Sequence, residues 1–364
     1  MGPRAELEGW SAGHASRCPL PHRTPRGSVN LDTTSGTGRA PAVVFSGYYT
    51  SRVHDLWPRD DDALDDLARY ALLPHGKLLR PRLLLLCVAA LDGDLAQAAA
   101  VAAALESHHT ASLVHDDLID GDAERRGRPS VHARYGTGQA LLAGDALLCR
   151  SFAEVAECHR HGVAPDLLLD VIALAGLTGV EICRGQLLEE RLRRDLACGL
   201  DAYLAMVTMK TAALLSATCR TAALLSGADE ETTTALTVYG ETLGIAFQMR
   251  DDLLPYRDAE TVRGAGKPLS SDLRNGRPTL PLLLAVERAL PRQARRLRRL
   301  FARAAHSARA RGRLTTLLHE LGAVEAATAV LESYVEKARA HLDHLPATPH
   351  REQLHRLTYA MGTG

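Results

Sequence analysis

Two short stretches set adjacent aspartates in apolar surroundings: LVHDDLIDGD at 113–122 and FQMRDDLLPYRD at 247–258. In a helix, Asp116 and Asp120 lie on one face about one turn apart and Asp117 sits roughly 100° round, so three carboxylates converge on one small volume. An isolated DDLID reads more simply as a solvated helix face. The residues ahead of it argue otherwise. ALESHHTASLV is mostly apolar or small, which puts the acids at the end of a long buried helix, where crowded like charges are unfavourable without a cation. Oxygen-only ligands select a hard cation, and Mg²⁺ is commonly held by one or two carboxylates, with water and substrate phosphates filling the other positions. The spacing therefore implies a phosphorylated substrate. Lys77 and Arg80 in GKLLRPR, Arg125 and Arg126 in RRGRPS, Lys210 and Thr211 in MKT, Lys267 in GKP and Arg277 in NGR are available to bind it. Arginine offers a bidentate fork to phosphate and lysine a compact charge. Taken singly, each is an ordinary surface residue in a chain with 43 basic residues; their grouping around two acidic motifs carries the weight.

Helices must position these groups. From about Tyr48 onward the chain runs in long Ala/Leu-rich stretches such as AQAAAVAAALESHHTASLVHDD and TAALLSATCRTAALLSG, broken at Gly and Pro in PHGK, RGRPS, YGTGQ, SGADE and RNGRP. These are helix sequences with short connections. With no sustained period-2 alternation and no 20–50-residue repeat, the expectation is a single all-α domain of ten or more helices. Residues 1–45, rich in Gly, Pro, Ser, Thr and Arg without periodicity, read as a flexible tail, which leaves 46–364 as the domain. The 46% apolar content sustains a large core. The 43 basic and 43 acidic residues cancel, so overall charge gives no reason to expect a nucleic-acid or anionic-membrane partner, and any anion site must be local. Seven cysteines without metal-type spacing fit a reducing cytoplasm. The N-terminus lacks an apolar signal core, and no stretch reads as the ~18 uncharged apolar residues of a membrane span.

Taken in order, GKLLRPR, ESHHTASLVHDDLID, RRGRPSVH, LLAGDALL, GQLLEE, KTAALL, FQMRDDLL, GKPLSSDL and NGRPTLPLLL resemble the trans-isoprenyl diphosphate synthases, the polyprenyl synthetase family, over nearly all of the chain after the tail. Geranylgeranyl diphosphate synthases are the most similar members. The resemblance implies an isoprenoid-synthase-type helical bundle around a central apolar cavity, a homodimer, and three Mg²⁺ ions. It also implies that an allylic diphosphate ionises and the resulting cation is attacked by isopentenyl diphosphate. Carried over by position, Asp116, Asp117 and Asp120 form the first metal motif, and Asp251 with Asp252 the second. Arg125, Lys210, Thr211, Gln248 and Lys267 resemble the allylic diphosphate site, with Lys210 also catalytic. Lys77, Arg80, His109 and Arg126 resemble the isopentenyl diphosphate site, and Arg277 falls near a position often occupied by lysine.

One position departs from the family pattern: the acid that commonly closes the second motif is here Pro255. Proline removes a donor and disfavours helix, so the helix is expected to end or kink about one turn after Asp251, with metal affinity reduced ~10–100-fold and activity retained. Asp258, seven residues from Asp251, is a distant substitute. Ser112, Ala111 and His108 precede the first motif where the family sets product length. Small Ser112 and Ala111 argue against a stop at fifteen carbons, and His108 is either the floor for a twenty-carbon product or a core histidine with the tunnel left open. Two other functions are weighed. A terpene cyclase on this scaffold needs aromatic side chains, and the chain has only 4% aromatics. A non-catalytic modulating subunit would be expected to lose acids of the first motif, and all three are present.

Overall fold

The computed structural model describes residues 41–58, 62–256 and 271–363; Lys267 and Asp258 lie outside them. Helix α1 (Pro41–Leu56) is followed by α2 (Ala63–Leu72), α3 (Leu79–Ala90) and α4 (Leu95–Asp120). A two-residue hairpin, β1 (Glu124–Arg125) and β2 (Arg128–Pro129), leads to α5 (Val131–Tyr135), α6 (Thr137–Glu157) and α7 (Pro165–Leu192). Next come α8 (Gly199–Val207), a π-turn (Thr208–Ala212), α9 (Ala213–Leu225) and α10 (Glu230–Leu253). From residue 271 the chain continues through α11 (Ser271–Asn275), α12 (Leu280–Arg288), α13 (Pro291–Ala304), α14 (Ala308–Glu320), α15 (Ala323–His341) and α16 (Pro349–Thr363). The all-α class expected from the sequence is what the structure shows, with the hairpin as the β element among the described residues.

Helix α4 runs through the middle. Asp94 caps its start by accepting from the Ala96 and Gln97 amides, and every residue from Ala98 to His108 is buried. A helix apolar or small on all faces is stable only when neighbours cover it, and α3 and α6 do so. Leu83, Leu84, Leu147, Leu215, Leu236 and Leu243 are among the fully buried side chains, each contributing on the order of 2 kcal/mol over exposure. A second apolar cluster joins α8 and the end of α10 to α12–α15. The acids of both motifs thus stand at the ends of helices that the core holds rigid.

One local feature corrects the sequence reading. RRGRP is a hairpin, not an irregular loop: Arg125 pairs with Arg128, and Arg126 and Gly127 both take positive φ (55° and 72°), as a two-residue turn matching strand twist requires. Gly199–Leu225 is a continuous helical stretch that by length and composition could cross a membrane, but Asp201, Lys210 and Arg220 interrupt it, in line with the expectation of no uncharged span, and half of its most apolar 18-residue window is buried inside the protein. At the second motif, α10 ends at Leu253 and Pro255 lies in a 3₁₀ turn, Leu254–Tyr256, because proline cannot supply the donor to continue the α-helix.

Candidate active site

The last turn of α4 presents Asp116, Asp117 and Asp120, and each meets cationic side chains, with Arg125 shared between Asp117 and, at 3.7 Å, Asp116. Asp116 Oδ1 lies 3.1 Å from Lys210 Nζ. Asp117, buried, takes the Arg125 fork, with Arg125 Nε 2.9 and 3.1 Å from its two oxygens. Asp120 accepts from Arg277 and, at 3.4 Å, from Arg193. The three carboxylates are held by cationic side chains, and among the described residues no group of three ligating side chains is assembled for a metal. Like charges on one turn repel, and shared cations offset the repulsion: Arg125 serves Asp117 and Asp116, and Arg277 feels both Asp120 and Asp116. The arginine pairings show in the electrostatics. Burial works against the Arg125 charge, but Asp117, Asp116 and Asp122 hold its pKa above the ordinary range. Arg277 likewise stays above its ordinary range despite burial, held by Glu189, Asp272, Asp120 and Asp116.

Lys210 reaches Asp116 because the helix is interrupted at Thr208–Ala212. π-turns widen a helix and recur at functional sites, and this one is gripped between two glycines. A Cβ on Gly185 of α7 would fall 2.4 Å from the Lys210 amide nitrogen, and one on Gly244 of α10 would fall 2.5 Å from Ala212 Cα. Glu189, one turn after Gly185, accepts from Lys210 Nζ at 2.7 Å and from Arg277 at 2.9 Å. Arg277 also donates to Asp272 at 3.1 Å. Cation and anion alternate through Asp116, Lys210, Glu189, Arg277 and Asp120, which ties α4 to α7, the π-turn and the segment after α11. On the other side of α4, His115 sits against Gly144 of α6, where a Cβ would fall 2.2 Å from its Nε2. His115 Nε2 also lies 3.4 Å from Asp145, so LLAGD steadies the residue next to Asp116.

The second motif divides. Asp251 is half-buried on the last turn of α10. Asp252 is buried and accepts from Tyr203 OH at 2.8 Å, Gln248 Nε2 at 3.0 Å and the Leu280 amide at 2.9 Å. Burial, and then Asp272, push its pKa up to about 7. Thr211 donates to Gln248 at 3.0 Å, so Thr211, Gln248 and Asp252 form one chain of hydrogen bonds joining the π-turn, α10 and α12. With both oxygens engaged inside the protein, Asp252 is placed to brace these elements rather than to face a cation, unlike its expected metal role.

A second basic group lies between α3, α4 and the hairpin. Arg80, Arg126, His109 and a residue the sequence reading did not select, Glu106, act on one another. Loss of hydration, with Arg80, Arg126 and Arg125 nearby, drives the His109 pKa well below its usual range, so the ring is neutral. Burial raises Glu106 to about 7 against the pull of Arg80 and Arg126. Arg126 donates to Pro74 O at 3.1 Å, and its guanidinium packs 3.2 Å from where a Gly76 Cβ would stand. That approach explains the glycine of PHGK. Lys77 is exposed beside this group. Arg125, Arg126, Asp117 and Thr110 also line a small open cleft with α2 and α5.

Residues 61–318 match the family model described as Polyprenyl synthetase. The chain belongs to the polyprenyl synthetase family. This synthetase is 36% identical over 303 residues to a short chain isoprenyl diphosphate synthase of Methanothermobacter thermautotrophicus, an alignment covering 83% of this chain and 90% of that protein. Its fold is similar to the geranylgeranyl pyrophosphate synthetase of Pyrococcus horikoshii, with TM-score 0.80, 30% identity, and 88% and 96% of the two chains covered. It is also similar to a Caulobacter crescentus polyprenyl synthase complexed with calcium and isoprenyl diphosphate, with TM-score 0.79, 31% identity, and 88% and 94% covered. The synthetase is a trans-prenyltransferase that elongates isoprenyl diphosphates.

Within the synthetase, the residues ahead of the first motif are interior. Ala111 is buried, Ser112 turns its hydroxyl to His109 O at 2.8 Å, and His108 is 3% exposed. The His108 ring meets Phe152 of α6 edge to face, with centroids 5.9 Å apart. It also lies 3.4 Å from Ser151 Oγ and 3.8 Å from the Cβ position of Gly179 on α7. Burial, then Arg80, lower its pKa to about 4, so the buried ring is neutral. The sequence reading missed Glu189, Asp272, Arg193 and Gly185. In GQLLEE the useful signal is Glu189, an acid one helical turn after an interior glycine.

Proposed function

We propose that the synthetase condenses isopentenyl diphosphate with an allylic diphosphate, using Mg²⁺, to make geranylgeranyl diphosphate. The observation that carries this reading is the alternating network of Asp116, Lys210, Glu189, Arg277 and Asp120, set beside a separate Arg80–Arg126–His109 anion group: two anionic substrates, two differently built sites. The donors fit Mg²⁺. They are carboxylate oxygens only, and Asp116 and Asp120 already face cationic nitrogens, so the site tolerates positive charge where ions would sit. Asp116, Asp120 and Asp251 are the residues assigned to the ions, three in number by family pattern, with substrate phosphates completing their coordination. When bound, the ions neutralise the charge that develops on the departing diphosphate. Lys210 and Arg125 add fixed positive charge at the same leaving group, to which the family resemblance also assigns Lys267. Asp117 orients Arg125, while Thr211, Gln248 and Asp252 hold the π-turn in register. In the second site Arg80, Arg126 and Lys77 bind the isopentenyl diphosphate, and neutral His109 adds a hydrogen bond without charge.

The cation formed as the allylic C–O bond breaks is attacked by the isopentenyl double bond, and a proton lost to the departed diphosphate completes a five-carbon extension. His108 with Phe152 forms the floor that stops growth at twenty carbons, which agrees with the product named for the Pyrococcus relative. Pro255 lowers metal affinity without abolishing activity. Exposed Leu141, Leu142, Leu169, Leu177 and Leu187 on α6 and α7 support a homodimer through that face, and the enzyme works in the cytoplasm. The test is a product assay with Mg²⁺, isopentenyl diphosphate and dimethylallyl, geranyl or farnesyl diphosphate, read by mass spectrometry after dephosphorylation. A single linear twenty-carbon alcohol is expected. Cyclic hydrocarbons, or isopentenyl diphosphate left unconsumed, overturn the reading.

A further inference from the structure

Residues 288–313 contain ten arginines and no acidic residue, in a chain whose formal net charge is zero. Most of them lie on α13 and α14. On α13, Leu297, Phe301 and Ala304 face the core. At about 100° per residue, Arg292, Arg296, Arg299 and Arg303 fall within an arc of roughly 60° on the opposite side, along ~17 Å of helix. Arg295 and Arg298 flank them, and all six are exposed. Exposed Arg288 at the end of α12 and exposed Arg309 and Arg313 on α14 extend the surface.

Folding alone does not account for this face. Arg292/Arg296, Arg295/Arg299 and Arg299/Arg303 are like charges at i,i+4, which destabilise a helix. Arg292 also lies in the first turn, where the helix dipole disfavours a cation and no acid is present. The charged groups on neighbouring elements do little to offset it. Arg296 meets Glu320 at 3.4 Å with both half-exposed, Glu287 is exposed on α12, and Asp272 of α11 is engaged by Arg277. Arg299 and Arg311 donate to backbone carbonyls.

We propose that the exposed face of α13, with the adjoining arginines of α12 and α14, docks the enzyme on a bilayer containing anionic phospholipid. Guanidinium forks match lipid phosphates in charge and geometry. Leu290, 68% exposed at the start of the same helix, supplies an apolar residue to enter the headgroup layer beside them. A single-stranded nucleic acid would instead call for aromatic side chains on which bases stack, and the one aromatic residue of α13, Phe301, is buried. The activity also favours a bilayer: each extension lengthens an apolar chain on a charged head, an amphiphile that partitions into one.

The experiment is co-sedimentation of the full chain with neutral phosphatidylcholine vesicles and with vesicles holding about one-third phosphatidylglycerol, near physiological salt. Binding to the anionic vesicles alone, and its release at about 1 M salt, is expected. A triple variant, Arg292→Gln, Arg296→Gln and Arg299→Gln, should bind ~100-fold more weakly, at roughly fivefold per arginine, with unchanged circular dichroism and turnover on soluble substrates. Failure to bind anionic vesicles, equal binding by the variant, or displacement from vesicles by an equal charge of RNA overturns the proposal.

Discussion

Replacing Gly185 by alanine tests whether the grip on the π-turn positions Lys210. The added methyl would stand 2.4 Å from the Lys210 amide nitrogen and 2.8 Å from its Cα and Cβ, about 1 Å short of an ordinary van der Waals contact. The obstacle is backbone rather than the end of a flexible side chain, so the π-turn or α7 must move by about that distance. Lys210 Nζ bridges Asp116 and Glu189 at 3.1 and 2.7 Å, and a 1 Å displacement breaks hydrogen bonds of that length. A misplacement of this size costs ~100-fold in turnover, and overpacking costs about 1–3 kcal/mol of stability. Gly176, on the same helix with nothing within 4 Å of its Cβ position, is the control: Gly176→Ala should gain about 0.5–1 kcal/mol from helix propensity and leave turnover unchanged. Incorporation of labelled isopentenyl diphosphate gives kcat, and urea unfolding gives stability. If Gly185→Ala turns over within threefold of the parent and unfolds like Gly176→Ala, Lys210 is not positioned by this contact.

Two further outcomes follow from buried groups. Glu154 is fully buried and its pKa is raised to about 7, by burial first and opposed by Arg52 and Arg150. The folded state therefore binds more protons than the unfolded chain between about 4.5 and 7, and this residue makes stability fall as pH rises through that window. Glu154→Gln should match the parent near pH 5 and exceed it by about 3 kcal/mol near pH 8; parallel urea curves at both pH values would refute the assignment. The depressed pKa of His108, about 4, acts in the opposite sense, with stability lost as pH falls from about 6.5 toward 4, and the comparison with Glu154→Gln at fixed pH separates the two. His108→Ala removes the ring packed on Phe152 and should shift the main product beyond twenty carbons by one or more five-carbon units on reverse-phase chromatography; an unchanged product length assigns the floor elsewhere.

The sequence by itself determined the fold class, the order of helices and which segments carry the acids and bases. Ala/Leu runs with Gly and Pro breaks encode helix locally, and the spacing in ESHHTASLVHDDLID marks a buried helix ending in charge. Even the end of α10 was legible, since proline acts through its own backbone. What only the tertiary structure decided was how the charges are apportioned. Adjacent Asp251 and Asp252 look equivalent in a string, yet they point from α10 in different directions, and Asp252 is fixed by Tyr203 and the Leu280 amide, 49 and 28 residues away. Glu189 became part of the site only when α7 met the π-turn and Arg277 reached across from the segment after α11. Helical periodicity reports which residues share a face; hydrogen bonds and ion pairs between distant helices depend on packing distances that no local spacing contains.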